Sequence, residues 1–326
     1  MKTNVSTAGA GPWSSPTVQG AVLAIIGFLM LSGTDGIVKY LGAHFSPLTI
    51  SLVRFFIHAL IIVIVAPFYG RSLASLLREF TWVQVLRGTL LSIGSIMMVI
   101  GLKYIPITDA IAIFFVQPMV LTVLSVIFLK EQVGMHRWAA VVGGLIGVII
   151  VMRPGSGMFG YYALLPFGCA VTFATYLMVN RLYSGRATQL GIQFSAGLSG
   201  AMVLLPVSII AYYLDIGGPI YEPSVVEAPF WPVMWLVALG GVAVLGHVAL
   251  VKAFERAPAS LLAPLNYIDI LSATAMGYFF FSEVPDLTAW IGITLIVLSG
   301  LYLGHRERLA AKRARAEQLA ALSGGE

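Results

Sequence analysis

The chain is dominated by long apolar runs, separated by short stretches that contain proline, glycine or charged residues. Ten runs are long enough, or nearly so, to cross about 30 Å of hydrocarbon as helices that rise about 1.5 Å per residue. They cover residues 18–41, 47–68, 81–102, 107–129, 135–152, 160–179, 190–214, 232–254, 259–281 and 286–304. The runs lack the alternation of membrane-barrel strands, and lipid offers no partner to exposed backbone groups. The pattern therefore predicts an all-α integral membrane protein with ten transmembrane helices.

The layout of residues 101–152 recurs 152 residues later, and the two hydropathy profiles agree without a gap. The matching positions lie at breaks and hairpins: Pro106 and Pro258, Glu131 and Glu283, Trp138 and Trp290, Gly88 and Gly240, and Gly94 and Gly246. Breaks at corresponding places in two halves are typical of transporters built from internal repeats. Since each half holds five spans, the second half enters the membrane in the opposite sense, and the repeats are inverted.

These boundaries predict four segments along the chain. We expect a first five-helix repeat at residues 18–152 and a second at residues 160–304. A flexible cytoplasmic tail is expected at residues 1–17 and a basic cytoplasmic tail at residues 305–326.

Composition supports a membrane protein and excludes a large soluble domain. Hydrophobic residues make up 59% of the chain and charged residues 10%, with a mean hydropathy of +0.92. Soluble domains carry about 25% charged residues. The one cysteine, Cys169, lies in an apolar run and cannot form an intramolecular disulfide.

The distribution of lysine and arginine predicts the orientation. If the N-terminus is cytoplasmic, the inner segments carry fourteen of these residues and the outer loops carry two, Lys103 and Arg153. Basic residues concentrate on the cytoplasmic side of membrane proteins. We therefore expect both termini in the cytoplasm and a multi-pass location in a bacterial inner membrane. The net charge of +5 then reflects topology, and no nucleic-acid partner is expected.

Soluble-enzyme motifs are missing from the sequence. It has no GxxxxGK[ST] phosphate loop, no HExxH motif and no CxxC motif. We predict that the chain is not an enzyme and that it uses no metal and no cofactor.

Two stretches carry a family resemblance. The first reads FFVQPMVLTVLSVIFLKEQVGMHRW with VVGGLIGVIIVMRPG, and the second reads APASLLAPLNYIDILSATAMGYFFFSEVPDLTAW with IGITLIVLSGLYL. Each is an apolar span, a Glu-containing hairpin and a closing Gly-rich span. Over residues 18–304 the chain resembles the EamA-domain transporters of the drug/metabolite transporter superfamily.

The resemblance implies ten helices, alternating access, and a central cavity lined mainly by the third, fourth, eighth and ninth helices. Members of the superfamily carry amino acids, nucleotide sugars, sugar phosphates, vitamins such as riboflavin, S-adenosylmethionine and drugs. The resemblance therefore predicts transport and leaves the solute open.

Polar side chains inside spans are costly, which makes them candidates for a solute or proton pathway. Asp269 lies about ten residues into the ninth run, and its repeat equivalent, Gln117, lies equally deep in the fourth. A carboxylate there binds a cationic group of a solute, exchanges a proton, or acts as packing between helices. The pathway candidates are Asp269, Gln117, Asn266, Tyr267, Phe115, Trp235 and His247, of which the aromatic members suit a flat solute.

A second candidate group lies on the first two spans. Asp35 and Lys39 are one helical turn apart on the first, and Arg54 and His58 are one turn apart on the second. Asp35 and Arg54 fall at nearly equal depth, which predicts a gate or a structural ion pair. Arg54 is alternatively a ligand for a carboxylate or phosphate of the solute. The hairpin residues Glu131 and Glu283 are interpreted as structural.

The function predicted from these features is secondary active transport of a small organic metabolite by alternating access. An amino acid-like solute and an aromatic, vitamin-like solute such as riboflavin both fit. The alternatives are an intramembrane enzyme and a non-transporting sensor or structural subunit. The expected partners are a small-molecule substrate and the lipid bilayer, with protons as a candidate coupling ion. A monomer and a homodimer both remain open.

Overall fold

The computed structural model describes residues 15–131, 133–154, 160–183, 187–214 and 229–323, and these residues fold into helices without a strand. The all-helical prediction is thereby confirmed. The α-helices are α1 Pro16–Leu41, α2 Pro47–Val65, α3 Leu73–Arg78, α4 Trp82–Tyr104, α5 Ile107–Phe114, α6 Gln117–Leu129, α7 Met135–Met152, α8 Leu164–Leu182, α9 Gln189–Tyr213, α10 Phe230–Arg256, α11 Ala259–Leu262, α12 Ile268–Phe281 and α13 Leu287–Ser323. Most of the predicted 1–17 tail lies outside the described residues.

Local sequence explains where the first two spans begin. Pro16 and Pro47 occupy the first position of α1 and α2, where a proline loses no backbone hydrogen bond. The serine before each proline caps the helix, and the Thr49 N–H donates to Ser46 Oγ at 3.2 Å.

Within the described residues, nine helical segments are long and apolar enough to cross a membrane. The tenth predicted span is the broken segment α11–α12, interrupted by a 3-10 turn at Ala263–Tyr267. The fourth span is broken at the corresponding place, between α5 and α6. A proline lies beside each break, Pro264 in one span and Pro118 in the other. Proline removes a backbone donor and clashes with the preceding turn, which accounts for the interruptions.

Contacts between helices agree with the internal repeat. Helix α1 packs along α10, and the corresponding pair, α8 and α4, packs in the same way. The equivalent helices α2 and α9 pack against each other, as do α7 and α13. The second half therefore lies against the first as its inverted counterpart.

Glycines predicted from the repeat lie at equivalent close approaches. A Cβ on Gly88 would meet Ser199 Cβ at 2.3 Å on α9, and one on Gly240 would meet Ile57 Cγ2 at 2.5 Å on α2. Because α2 and α9 are equivalent helices, the two glycines permit the same contact in the two halves.

The two faces of the bundle differ. We call the face where α1 ends the Leu41 face and the opposite face, where α8 ends, the Leu182 face. At the Leu41 face every residue of Ile107–Ile113 in α5 is at most 3% exposed, and α5 packs on α12. At the Leu182 face the repeat equivalent of Asp109, Leu261 in α11, is 44% exposed. The start of α5 at the Leu41 face is thus packed more tightly than Leu261 at the Leu182 face.

Candidate solute pathway

The two broken spans cross at their breaks, in the middle of the bundle. The rings of Phe115 and Tyr267 are tilted against each other with centroids 5.3 Å apart. Gln117 begins α6 directly after one break, and Asp269 lies in the first turn of α12 after the other. The structure therefore brings four of the predicted pathway residues into one region.

Several of these side chains remain half-buried in spite of their depth, including Gln117, Asn266, Tyr267 and Asp269. Helix α1 covers one side of the site, where Ser32 Oγ donates to the backbone oxygen of Asp269 at 3.4 Å. In the described structure one carboxylate oxygen of Asp269, Oδ1, is buried without a hydrogen-bond partner. A buried carboxylate oxygen left unpaired is costly, and a bound cation or proton would relieve that cost.

Three charged side chains from three helices are linked here through Asp35. Asp35 on α1 interacts electrostatically with Asp269 on α12 and with Arg54 on α2. With both carboxylates ionised, the three groups carry a net charge of −1. The cluster therefore combines a guanidinium group, which can bind an anion, with two carboxyl groups.

The predicted direct pair of Asp35 and Arg54 is not seen, since no ion pair among the described residues joins them. Helix α10 packs against both α1 and α2, so the two helices diverge after their short connection. The predicted pair assumed that α1 and α2 lie side by side because they are consecutive in the chain.

Lys39, which also belongs to the predicted gate group, forms an ion pair with a residue outside that group. Its Nζ lies 2.8 Å from Glu283 Oε1, at the Leu41 face. Glu283 is the hairpin residue interpreted as structural, and its other oxygen accepts the Ile107 N–H at 3.0 Å. The predicted gate residue Lys39 and the hairpin residue Glu283 therefore form one ion pair.

The two histidines are brought together, one from each half. The rings of His58 and His247 meet edge to face with centroids 6.0 Å apart. His247 Nδ1 lies 2.7 Å from the carbonyl oxygen of Ala243 in the same helix. Both rings interact electrostatically with Arg54, which joins them to the charged cluster.

The aromatic pathway candidates do not all lie in the same region. Trp235 is exposed near the start of α10, and no ring contact among the described residues links it to Phe115 or Tyr267. Phe114, the neighbour of Phe115, contacts Phe173 of α8 with ring centroids 5.5 Å apart. Phe173 in turn contacts Tyr176 with ring centroids 5.7 Å apart. The sequence argument missed Phe173 and Tyr176 because an aromatic residue in an apolar span carries no polar signal.

Comparison with known proteins decides the family. A model of the EamA-like transporter family matches residues 18–153 and again residues 160–303. The chain belongs to the EamA-like transporter family. The two matches correspond to two repeats of the family fold, which agrees with the equivalent helix contacts.

Several bacterial proteins resemble this EamA-like chain over most of their length. An S-adenosylmethionine uptake transporter of Rickettsia conorii is 28% identical over 90% of this chain and 95% of its own. A riboflavin transporter of Vibrio cholerae is 28% identical over 91% and 97%. A pseudopaline exporter of Pseudomonas aeruginosa is 24% identical over 89% and 97%.

A solved crystal structure shares the fold. It superposes with a TM-score of 0.61 at 18% sequence identity, over 87% of this chain and 96% of the other. Family, relatives and fold together identify a multi-pass membrane protein of the metabolite-transporter type, which agrees with the predicted class.

Proposed function

We propose that this EamA-like chain is a secondary transporter that moves a small organic metabolite by alternating access. The observation that carries the proposal is the site at the two helix breaks, where the buried Oδ1 of Asp269 has no hydrogen-bond partner in the described structure. The α5 segment at the Leu41 face is packed more tightly than Leu261 at the Leu182 face, and such a difference supports one end state of the cycle. An intramembrane enzyme or a structural subunit would leave this difference between two equivalent halves without a purpose.

The charge of the site favours an amino acid-like solute with an additional positive charge. Arg54 supplies a donor for a carboxylate, and Asp35 and Asp269 supply acceptors for two cationic groups. S-adenosylmethionine has a carboxylate, an ammonium group, a sulfonium and an aromatic base. The relatives named as S-adenosylmethionine uptake transporters support this class. The ring pair at the helix breaks offers contact for the base.

Riboflavin is the second candidate. It is flat and uncharged, and the aromatic pair of Phe115 and Tyr267 favours it together with the relatives named as riboflavin transporters. It would leave the charges of Asp35, Arg54 and Asp269 without counter-groups on the solute. For that reason we rank it below the cationic solute.

The orientation follows from the positive-inside argument. With both termini in the cytoplasm, the Leu182 face is cytoplasmic, and the tighter packing of α5 at the Leu41 face supports an inward-facing state. A fluorescent or alkaline-phosphatase fusion at each terminus tests this assignment in bacterial cells. Termini on opposite sides of the membrane would overturn the orientation and the inverted repeat with it.

Uptake into proteoliposomes tests the solute. Vesicles that contain the protein are expected to accumulate labelled S-adenosylmethionine until the gradients balance, and protein-free vesicles are not. Uptake of riboflavin instead would select the second candidate. Movement of neither solute, nor of any amino acid, would count against the transport proposal for these classes. An imposed proton gradient that changes the final accumulation would identify protons as the coupling ion, with both carboxylates as candidate carriers.

A further inference from the structure

Two ion pairs on opposite faces of the bundle are related by the repeat. At the Leu41 face Lys39 Nζ lies 2.8 Å from Glu283 Oε1, and at the Leu182 face an Arg181 nitrogen lies 2.6 Å from Glu131 Oε1. Glu131 and Glu283 are repeat equivalents, 152 residues apart. Each cation lies in the last turn of the first helix of its repeat, α1 or α8.

The two pairs have unequal surroundings. Lys39 Nζ also donates to the carbonyl oxygens of Leu102 at 3.0 Å and Ile105 at 2.9 Å, at the end of α4. The side chains of Lys39 and Glu283 are 11% and 24% exposed. Those of Arg181 and Glu131 are 54% and 32% exposed. The buried pair thus ties α1 to α4, α5 and the hairpin after α12, whereas the exposed pair joins α8 to the end of α6.

The exposed arginine has a different additional partner. Arg181 donates to Ser125 Oγ on α6 at 3.2 Å. The repeat equivalents of Leu102, Ile105 and Ile107 are Phe254, Ala257 and Ala259, at the junction of α10 and α11. Among the described residues, no hydrogen bond or ion pair links Arg181 or Glu131 to that junction. The difference between the pairs matches the difference in packing between the two faces.

We propose that Lys39–Glu283 and Arg181–Glu131 are the two latches of the transport cycle, an inference that rests on alternating access in the proposed function. In the state open at the Leu41 face, Lys39 leaves the carbonyl oxygens of Leu102 and Ile105. Arg181 then donates to the carbonyl oxygens of Phe254 and Ala257, and Glu131 accepts the Ala259 N–H. Each carboxylate keeps its cation throughout, and only the backbone bonds exchange.

The competing explanation is that both pairs are static braces of their hairpins. A static brace affects stability without favouring either face. A latch affects the balance between the two faces, and the two latches must act in opposite directions. The decisive measurement is therefore the accessibility of each face, not stability or transport alone.

Thiol labelling supplies that measurement in a background in which Cys169 is replaced by alanine. Thr108→Cys is a probe for the Leu41 face, because Thr108 is buried in α5. Leu261→Cys, one position beyond the repeat equivalent of Thr108, is the probe for the Leu182 face. A membrane-impermeant maleimide is applied from one side of oriented proteoliposomes at a time, and the initial rate of labelling is recorded.

Glu283→Gln is expected to raise labelling of the Thr108→Cys probe on the order of tenfold, since it removes the charged acceptor of the Ile107 N–H and the carboxylate that holds Lys39 beside the Leu102 and Ile105 oxygens. The same substitution lowers labelling at Leu261→Cys. Glu131→Gln is expected to change both rates in the reverse directions. Lys39→Gln is a second variant of the first latch and must act as Glu283→Gln does.

The matched control is Lys252→Met, which removes an exposed ion pair with Glu255 inside one helix, α10. It is expected to leave both labelling rates unchanged. Rates that move in the same direction for both latches, or that stay at the control level in variants with an unaltered melting temperature, would overturn the latch proposal.

Labelling needs no solute, so the two proposals fail separately. Opposite shifts without uptake of any tested solute would retain the latches and reject the solute classes. Uptake by the unmodified protein without opposite shifts would retain the transporter and reject the latches.

Discussion

The aromatic rings of Phe115 and Tyr267 touch at 5.3 Å between centroids, and the two residues occupy the same position in the two repeats. A pair of equivalent residues in contact marks the pseudo-twofold axis that relates the halves. Exchange of the two repeat conformations carries this pair onto itself. The contact is therefore expected to persist through the transport cycle, unlike the backbone hydrogen bonds of Lys39 and Arg181 at the two faces.

This persistence is testable with a double-mutant cycle on Phe115→Leu and Tyr267→Leu. We expect a coupling of about 0.5–1.5 kcal/mol, typical of an aromatic pair. The measurement is thermal unfolding in detergent, with and without the transported solute. Equal coupling in both conditions supports an axial contact, and coupling that vanishes with solute would show that the rings separate.

Close helix approach predicts opposite effects for two glycines of α1. A Cβ on Gly27 would meet Leu250 Cγ at 2.8 Å and the Gly246 carbonyl oxygen at 3.0 Å, whereas one on Gly33 would meet nothing within 4 Å. Gly27→Ala is expected to destabilise the protein by about 1–3 kcal/mol through overpacking. Gly33→Ala is expected to stabilise it by about 0.5–1 kcal/mol through helix propensity. Melting temperatures of the two variants, purified in parallel, check the contrast.

Much of the fold can be predicted from the sequence because backbone polar groups in lipid must form their hydrogen bonds within a helix. Ten apolar runs and the 152-residue offset were enough to predict helices, repeats and the equivalence of Gly88 with Gly240. The offset also predicts that Gln117 and Asp269 occupy equivalent positions.

What the sequence did not predict was which helices are neighbours. Consecutive spans with a short link suggested that Asp35 and Arg54 pair, but α10 packs against both of their helices. The partner of Lys39 is Glu283, 244 positions away, and the contact depends on the inverted arrangement of the repeats. Hydrophobic periodicity predicts a helix and its apolar face. Which of ten similar apolar helices become neighbours depends on side-chain packing, which periodicity does not show.

An ion pair outside the spans predicts a pH effect. Arg153 at the end of α7 pairs with Asp286 at the start of α13, and the Ala289 N–H donates to Asp286 Oδ1 at 2.9 Å. The hydrogen bond from Arg153, with that from Ala289, lowers the pKa of Asp286. A carboxyl group with a lowered pKa stabilises the folded state above its unfolded value of about 3.9, and the contribution is lost as pH falls through the folded pKa.

Asp286→Asn should therefore lower the melting temperature at pH 7, with the difference from the unmodified protein constant down to about pH 5 and shrinking below about pH 4. Glu255→Gln, which removes an exposed pair within one helix, is the control and is expected to change little at any pH. A difference for Asp286→Asn that grows as the pH falls would contradict the assignment.

The strongest prediction concerns Asp269, where function and stability should move in opposite directions. Its Oδ1 is buried without a partner in the described structure, so the folded protein bears the cost of an unpaired polar atom. Asp269→Asn is expected to keep or raise the melting temperature and to lower uptake of a cationic solute at least tenfold, by about 1.4 kcal/mol or more in transition-state terms. Ser51→Ala removes another buried, unpartnered side-chain oxygen, Ser51 Oγ, and is the control, expected to leave uptake unchanged. If Asp269→Asn instead destabilised the protein and transported normally, the carboxylate would be packing between helices, and the solute pathway would have to lie elsewhere in the bundle.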